Sequence, residues 1–135
     1  MTSCIFCKIM KGEIPSTKIY EDEHTFAFLD ISPVNPGHTL VIPKKCAKDL
    51  LELDDGTIAK LFSSARKVAG AVKKGMKADG LNIGVNNGEA AGQVIFHAHV
   101  HIIPRFKNDG LKLWGGRKYE GSEPEKVRAK IVSFL

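Results

Sequence analysis

Three of the chain's five histidines stand on alternate positions of one short run, His97-Ala98-His99-Val100-His101. Histidine titrates near neutrality and ligates metals through either ring nitrogen. Residues two apart on a strand share a face. His97, His99 and His101 would then line one side, while Ala98, Val100 and Ile102 pack into a core. A single histidine there would be explained by a hydrogen bond. Three in register serve apolar packing poorly, so the pattern points to chemistry. Two chemistries compete. One is a three-histidine zinc site for hydrolysis. The other is nucleophilic catalysis, in which one imidazole attacks a phosphorus or acyl centre and its neighbours orient it and handle protons.

The surroundings favour phosphate. Upstream lies Gly88-Glu-Ala-Ala-Gly92-Gln93, a loop whose backbone N–H groups could hold phosphate oxygens. The formal net charge is +5, which suits an anionic ligand. The segment from Arg105 to Lys118 is locally basic, but no long basic run suggests a nucleic-acid arm, and no sequence-specific nucleic acid is expected. The three cysteines, Cys4, Cys7 and Cys46, cannot all pair within the chain. Cys4-Ile-Phe-Cys7 by itself is open between a metal knuckle, a redox pair and simple burial.

These groups need elements to hold them. A chain of 135 residues suits one domain, expected over 1–135. Strands are predicted over 17–23, 25–31, 39–42, 81–85 and 96–103, with Pro104 ending the last. The clearest helix carries Ile58, Leu61, Phe62, Ala65, Val68, Ala69, Val72 and Met76 at steps of three and four, with Asp54 or Asp55 as its cap. Residues 122–135 open on Ser122-x-x-Glu125, a capping-box pattern, and continue as an amphipathic helix through Val127, Ile131 and Leu135. Short links between neighbouring strands imply antiparallel pairing. The expected class is α+β: a five-stranded antiparallel sheet with a long central helix and a C-terminal helix. No stretch is long and apolar enough to span a bilayer. The N-terminus lacks the pattern of a secretory signal, so a cytoplasmic or nuclear location is expected.

With those elements in view, the sequence resembles the histidine triad (HIT) family, in its Hint-type branch. His97-Ala-His99-Val-His101-Ile-Ile fits the family's alternation of histidine with apolar residues. CIFCKIMKGEIPSTKIYEDEHTFAFLDISPVNPGHTLVIPKK and GVNNGEAAGQ extend the likeness over about residues 4–105. The resemblance implies a HIT-like fold, a homodimer, and a hydrolase that binds purine nucleotides such as AMP. Phosphoramidate or related bonds, dinucleoside polyphosphates included, would be cleaved at the α-phosphate. His99 would be the nucleophile and form a nucleotidyl-histidine. His101 would contact the phosphate or leaving group, with its other ring nitrogen set by a backbone carbonyl, and His38 would stand behind them. Asp30 would bind the ribose. Ile5, Phe6, Ile9 and Ile31 would wall the base. Asn86, Gly92, Gln93 and position 94 would lie at the phosphate.

The family usually places Ser or Thr where this chain has Val94. One lost hydrogen bond to a charged group costs on the order of 1.5–3 kcal/mol. Val94 therefore keeps a second class open, a nucleotide-binding sensor or interaction module with weak turnover. The resemblance also implies one structural zinc per chain, held by Cys4, Cys7, Cys46 and His97, with Cys46 standing where relatives carry a histidine. No organic cofactor is implied. Trp114, in the irregular segment 106–121, is expected to reach toward the substrate pocket.

Overall fold

Alternation along the central strands decides the architecture. In Thr25-Phe-Ala-Phe-Leu29, Phe26 and Phe28 point one way and Ala27 the other. In Thr39-Leu-Val-Ile-Pro43, Leu40 and Ile42 oppose Val41. A sheet patterned in this way is apolar on both faces and must be covered on both. The computed structural model describes residues 3–135 and shows that solution. The expected domain of 1–135 begins two residues earlier, outside the described part.

The elements run α1 (Ile5–Met10), β1 (Lys18–Glu21), β2 (Thr25–Leu29), β3 (Thr39–Pro43), α2 (Asp55–Gly75), β4 (Gly80–Gly84), β5 (Val100–Arg105) and α3 (Glu123–Val132). The sheet order is β1-β2-β3-β5-β4, antiparallel throughout. One face carries Ala27, Val41, Ala98, Val100 and Ile102 against Leu61, Ala65, Val68, Ala69 and Val72 of α2. Small residues on α2 let the helix lie close to the sheet. The other face carries Phe26, Phe28, Leu40 and Ile42, capped by Phe6 of α1. The predicted α+β class with its antiparallel sheet of five strands is what the chain adopts.

Three local expectations change. The histidine strand begins at Val100, not Phe96, because the chain bends over residues 95–97 and Ala98 N–H is then tied to Ala47 O at 2.8 Å, outside the ladder. It also runs through Pro104 to Arg105. β3 pairs with β5 only as far as Thr39↔Ile102, and beyond that β4 alone is the partner. A residue without an N–H is tolerated on such a one-sided stretch. Lastly, Ser122 makes no side-chain cap to α3, and no α3 residue is buried. The apolar stripe of that helix is therefore not core within the protomer. By contrast α2 starts as its pattern implies, with Asp54 accepting Thr57 N–H at 2.8 Å.

The β1–β2 turn is organised by one carboxylate. Asp22 accepts the backbone N–H of His24 and of Thr25, and the hydroxyls of Tyr20, Thr25 and, from α2, Ser64. Burial works against its charge. Those hydrogen bonds outweigh burial and hold the carboxyl well below the usual carboxylate range. Asp22→Ala is expected to lower the unfolding free energy by about 2–3 kcal/mol in urea titrations, since it strands several donors. A depressed carboxyl stabilises above its unfolded value near 4 and loses that contribution as pH falls below it. Asp22→Asn should weaken that acid-side loss.

Candidate active site and metal cluster

His99 and His101 stand side by side at the start of β5, with ring centroids 4.8 Å apart. Their hydrogen bonds fix which nitrogen carries the proton. His99 Nδ1 lies 2.7 Å from the main-chain oxygen of His97. A carbonyl can only accept, so Nδ1 holds the hydrogen and Nε2 keeps the lone pair. No buried side-chain nitrogen or oxygen among the described residues lacks a partner. His99 is only 6% exposed, and its Nε2, which takes no part in that hydrogen bond, is not fully buried.

A second relay fixes His101. Val34 N–H donates to His38 Nδ1 at 3.1 Å, so His38 must carry its hydrogen on Nε2. That Nε2 lies 2.9 Å from His101 Nδ1 and donates to it. His101 is left with its hydrogen on Nε2. The backbone carbonyl expected behind His101 stands behind His99 instead, and His38 does the corresponding work for His101. His38 can sit there because Gly37, at φ 98°, has no Cβ; one would meet Met76 Cγ at 2.6 Å. Asp30 Oδ2 is 3.6 Å from His38 Nε2, and Asp30 Oδ1 takes Ser32 N–H.

All these imidazoles are biased toward the neutral form. Burial lowers His99 against the opposing pull of the His97 carbonyl and Asp30. Burial likewise lowers His38, where Asp30 opposes and His99 assists. Burial, with His99 and His38 alongside, takes His101 down to about 4.

The loop before the triad is built differently from the expected phosphate cradle. The N–H groups of Ala91, Gly92 and Gln93 bond to Gly88 and Glu89 carbonyls, and Gly88 N–H bonds to Gln93 Oε1. Those four donors are taken. The Gln93 side chain is buried and also donates to Lys48 and Ile95 carbonyls, so neither its amide nor its main-chain N–H is left for a ligand. Gly92 adopts φ 93°, and a Cβ there would lie 3.6 Å from the Asn86 amide. That distance is ordinary contact, so the positive φ and not a lack of space is what favours glycine there. Val94 follows the loop with 80% of its surface exposed.

Of the expected base wall, Ile5 and Ile31 are exposed, Ile9 is half-buried and Phe6 is buried. Phe6 packs edge-on to Phe28, a partner the motif reading missed. The alternation of Phe26 and Phe28 was the signal for it. A separate cavity of about 500 Å³ opens onto His38 and His101 and is walled by Asn82, Asn86, Lys112 and Trp114 among others. The segment carrying Trp114 therefore does reach toward the histidines.

His97 has a different neighbourhood. It is fully buried. Its Nε2 lies 2.9 Å from Pro43 O and must carry the hydrogen. Its Nδ1 lone pair faces Cys4 Sγ at 3.2 Å and Cys7 Sγ at 3.6 Å. The donor atoms of Cys4, Cys7, Cys46 and His97 lie within 4.8 Å of one another, so the cluster could hold a metal. Burial and the thiols of Cys4 and Cys46 push Cys7 up to about 12. Three such thiols can ionise together only around a cation, and Cys₃His is an established zinc set. The alternative of a zinc held by all three triad histidines is overturned. The clusters able to bind a metal among the described residues are this one and Asp30, His38, His101. His97 faces the sulfurs, and His99 points its Nδ1–H at a carbonyl.

A family model described as HIT domain matches residues 11–108. Protein hit of Bacillus subtilis (strain 168) is 53% identical over 110 residues, 81% of this chain and 76% of that protein. The Adenylylsulfatase HINT3 of Arabidopsis thaliana is 40% identical over 132 residues, 98% of this chain and 67% of that protein. Among solved structures, a member of the HIT family from Bacillus subtilis superposes with a TM-score of 0.91 at 44% identity, covering 98% of this chain and 97% of that one. A zinc-bound histidine triad family protein from Mycobacterium smegmatis gives 0.77 at 40% identity, covering 98% and 96%.

The buried histidines make stability depend on pH. His101 holds its proton only below about 4, whereas the unfolded chain takes one up nearer 6.5. Between those values the unfolded state binds more protons, so stability falls as pH drops. His38, His97 and His99 act in the same direction. Urea titrations between about pH 7 and 4 should show this decline, and His101→Gln should make it shallower.

Proposed function

The chain belongs to the HIT family, and on that premise we propose that it is a purine nucleotide-binding hydrolase acting at the α-phosphate through a nucleotidyl-histidine on His99. The observation that carries this reading is the His99 tautomer. The His97 carbonyl takes the Nδ1 hydrogen and leaves a neutral lone pair on Nε2 of a largely buried ring. A neutral imidazole in that state is a competent nucleophile near neutral pH.

In the first step Nε2 of His99 forms a bond to the α-phosphorus as the bond to the leaving group breaks. His101 Nε2–H, held outward by His38, hydrogen-bonds to the departing atom, which takes its proton from solvent as it leaves. Water then attacks the phosphorus and gives its proton to solvent, the N–P bond breaks with its electron pair returning to His99 Nε2, and AMP is released. Two adjacent neutral imidazoles can run this sequence without a carboxylate pair. Asp30 accepts from the ribose hydroxyls, and Ile5, Phe6, Ile9 and Ile31 flank the base. Asn86 and the Val94 N–H face the phosphate, with Gly92 and Gln93 closing the loop behind them. The adenylyl substrate in the name of the Arabidopsis relative supports an adenine nucleotide.

Cys4, Cys7, Cys46 and His97 would hold one zinc per chain. The donor set and the zinc-bound relative support this. When bound, zinc supplies a cross-link between the N-terminal segment and the catalytic bend. Thiols kept as ligands suit a reducing, cytoplasmic setting. No helix among the described residues is long and apolar enough to cross a membrane. The chain is proposed to act as one domain, 1–135, and to pair as a homodimer.

One observation favours a second reading, a nucleotide-binding module with little turnover. Val94 brings an exposed isopropyl group where a hydroxyl would meet the phosphate. Hydrolysis of a fluorogenic adenosine phosphoramidate separates the two. Wild type should turn over, and His99→Ala should lose on the order of a thousandfold or more in kcat. AMP bound with no turnover by wild type would favour the module instead. Val94→Ser is expected to raise kcat/KM by about 10- to 100-fold, the equivalent of one hydrogen bond to a charged oxygen.

A further inference from the structure

Phe6 sits between the two thiols of Cys4-Ile-Phe-Cys7, on a helix of six residues. A helix this short has no stability of its own in water. Its place must come from what its side chains hold. Cys4 and Cys7 reach His97, and the buried Phe6 ring stands edge-on to His97 at 5.9 Å and to His99 at 5.1 Å.

The second link is His97 itself. It lies in the bend before β5, outside the sheet ladder, so no strand pairing fixes its carbonyl. Its ring is anchored at both nitrogens instead, Nε2 by Pro43 O and Nδ1 by the cysteine side. Its own main-chain oxygen is the acceptor that sets the ring of His99 at 2.7 Å. The cluster therefore touches the catalytic imidazole twice, through the Phe6 edge and through the His97 carbonyl.

We infer that the Cys4, Cys7, Cys46, His97 cluster sets the ring of His99 through Phe6 and the His97 carbonyl, so that metal binding and nucleotide binding are coupled. The inference rests on the zinc and nucleotide readings above. Phe6 and His97 are then positioning residues. Coupling of this kind is reciprocal, since a metal that favours the ordered site must itself be favoured by whatever else needs that site ordered.

The test uses the full chain stripped with a chelator and reloaded with zinc or cobalt. Thiolate-to-cobalt absorption first reports whether the cysteines ligate. Its absence would overturn both the zinc reading and this proposal, and would leave the hydrolase reading standing. Long-range proton–nitrogen spectra of the histidine side chains then read the tautomer of His99, and calorimetry reads AMP affinity. Loaded protein should show one Nδ1–H form of His99, and stripped protein a mixture of both forms. AMP affinity should fall about tenfold on stripping, and AMP should tighten zinc by the same factor. Where AMP does not bind at all, the tautomer readout still decides.

A general loss of folding would not select one imidazole. Phe6→Leu, loaded with a full equivalent of zinc, separates the two cases. It should give mixed His99 tautomers with the metal in place, a readout that loss of a contact to the base would not move. A single Nδ1–H form of His99 in that variant, or in the stripped protein, would overturn the proposal.

Discussion

The hydrogen bond from the buried His97 ring to the Pro43 carbonyl is the constraint on which the site depends. An imidazole without solvent is costly unless its polar nitrogens are paired. At His97 the pairing does three things at once. Nε2 ties the bend before β5 to the end of β3. Nδ1 turns toward Cys4 and Cys7 and so anchors the N-terminal helix. The main-chain oxygen of the same residue holds His99. The first histidine of the run is thus structural in its ring and functional through its backbone.

From that anchor the protonation pattern of the site follows without any titration. A carbonyl behind His99 and a backbone N–H behind His38 are fixed in type. Each forces the adjoining ring into one tautomer, and the pattern propagates to His101. The result is one ring offering a lone pair and its neighbour offering a hydrogen. Burial keeps both neutral, because a charged imidazole would forfeit hydration that the apolar surroundings of Phe6, Phe28 and Leu40 do not replace. A low-dielectric setting also makes each placed dipole count for more than it would in water.

The loop at 86–93 illustrates a different economy. Its glycines and Gln93 are used to close the loop on itself and against Lys48, not to present a row of amides. Rigidity there keeps Asn86 beside Gly92 and delivers the chain to Val94. The irregular segment beyond β5 contributes in another way, by bringing Lys112 and Trp114 to the wall of the cavity beside His101.

The sequence by itself determined the class, the order of the five strands and the two longer helices, the two-faced sheet and the grouping of the histidines, while the short helix α1 was not among the expected elements. These rest on periodicity, and alternate side chains must take opposite faces whatever the partners are. The motif likewise brought Cys4, Cys7, Cys46 and His97 into one hypothesis, and the fold brings their donor atoms together. What only the tertiary structure decided was the use of each polar atom. Nothing in the spacing of His97, His99 and His101 says that the first turns to sulfur, or that a carbonyl backs the second and His38 the third. Nor does it say that the strand begins at Val100 and passes through Pro104, since that depends on where β3 stops. Helix α3 carries a clear apolar stripe and yet buries none of it in the protomer. Hydrogen-bond partners and burial are set by residues distant in the chain, and local pattern carries no record of them.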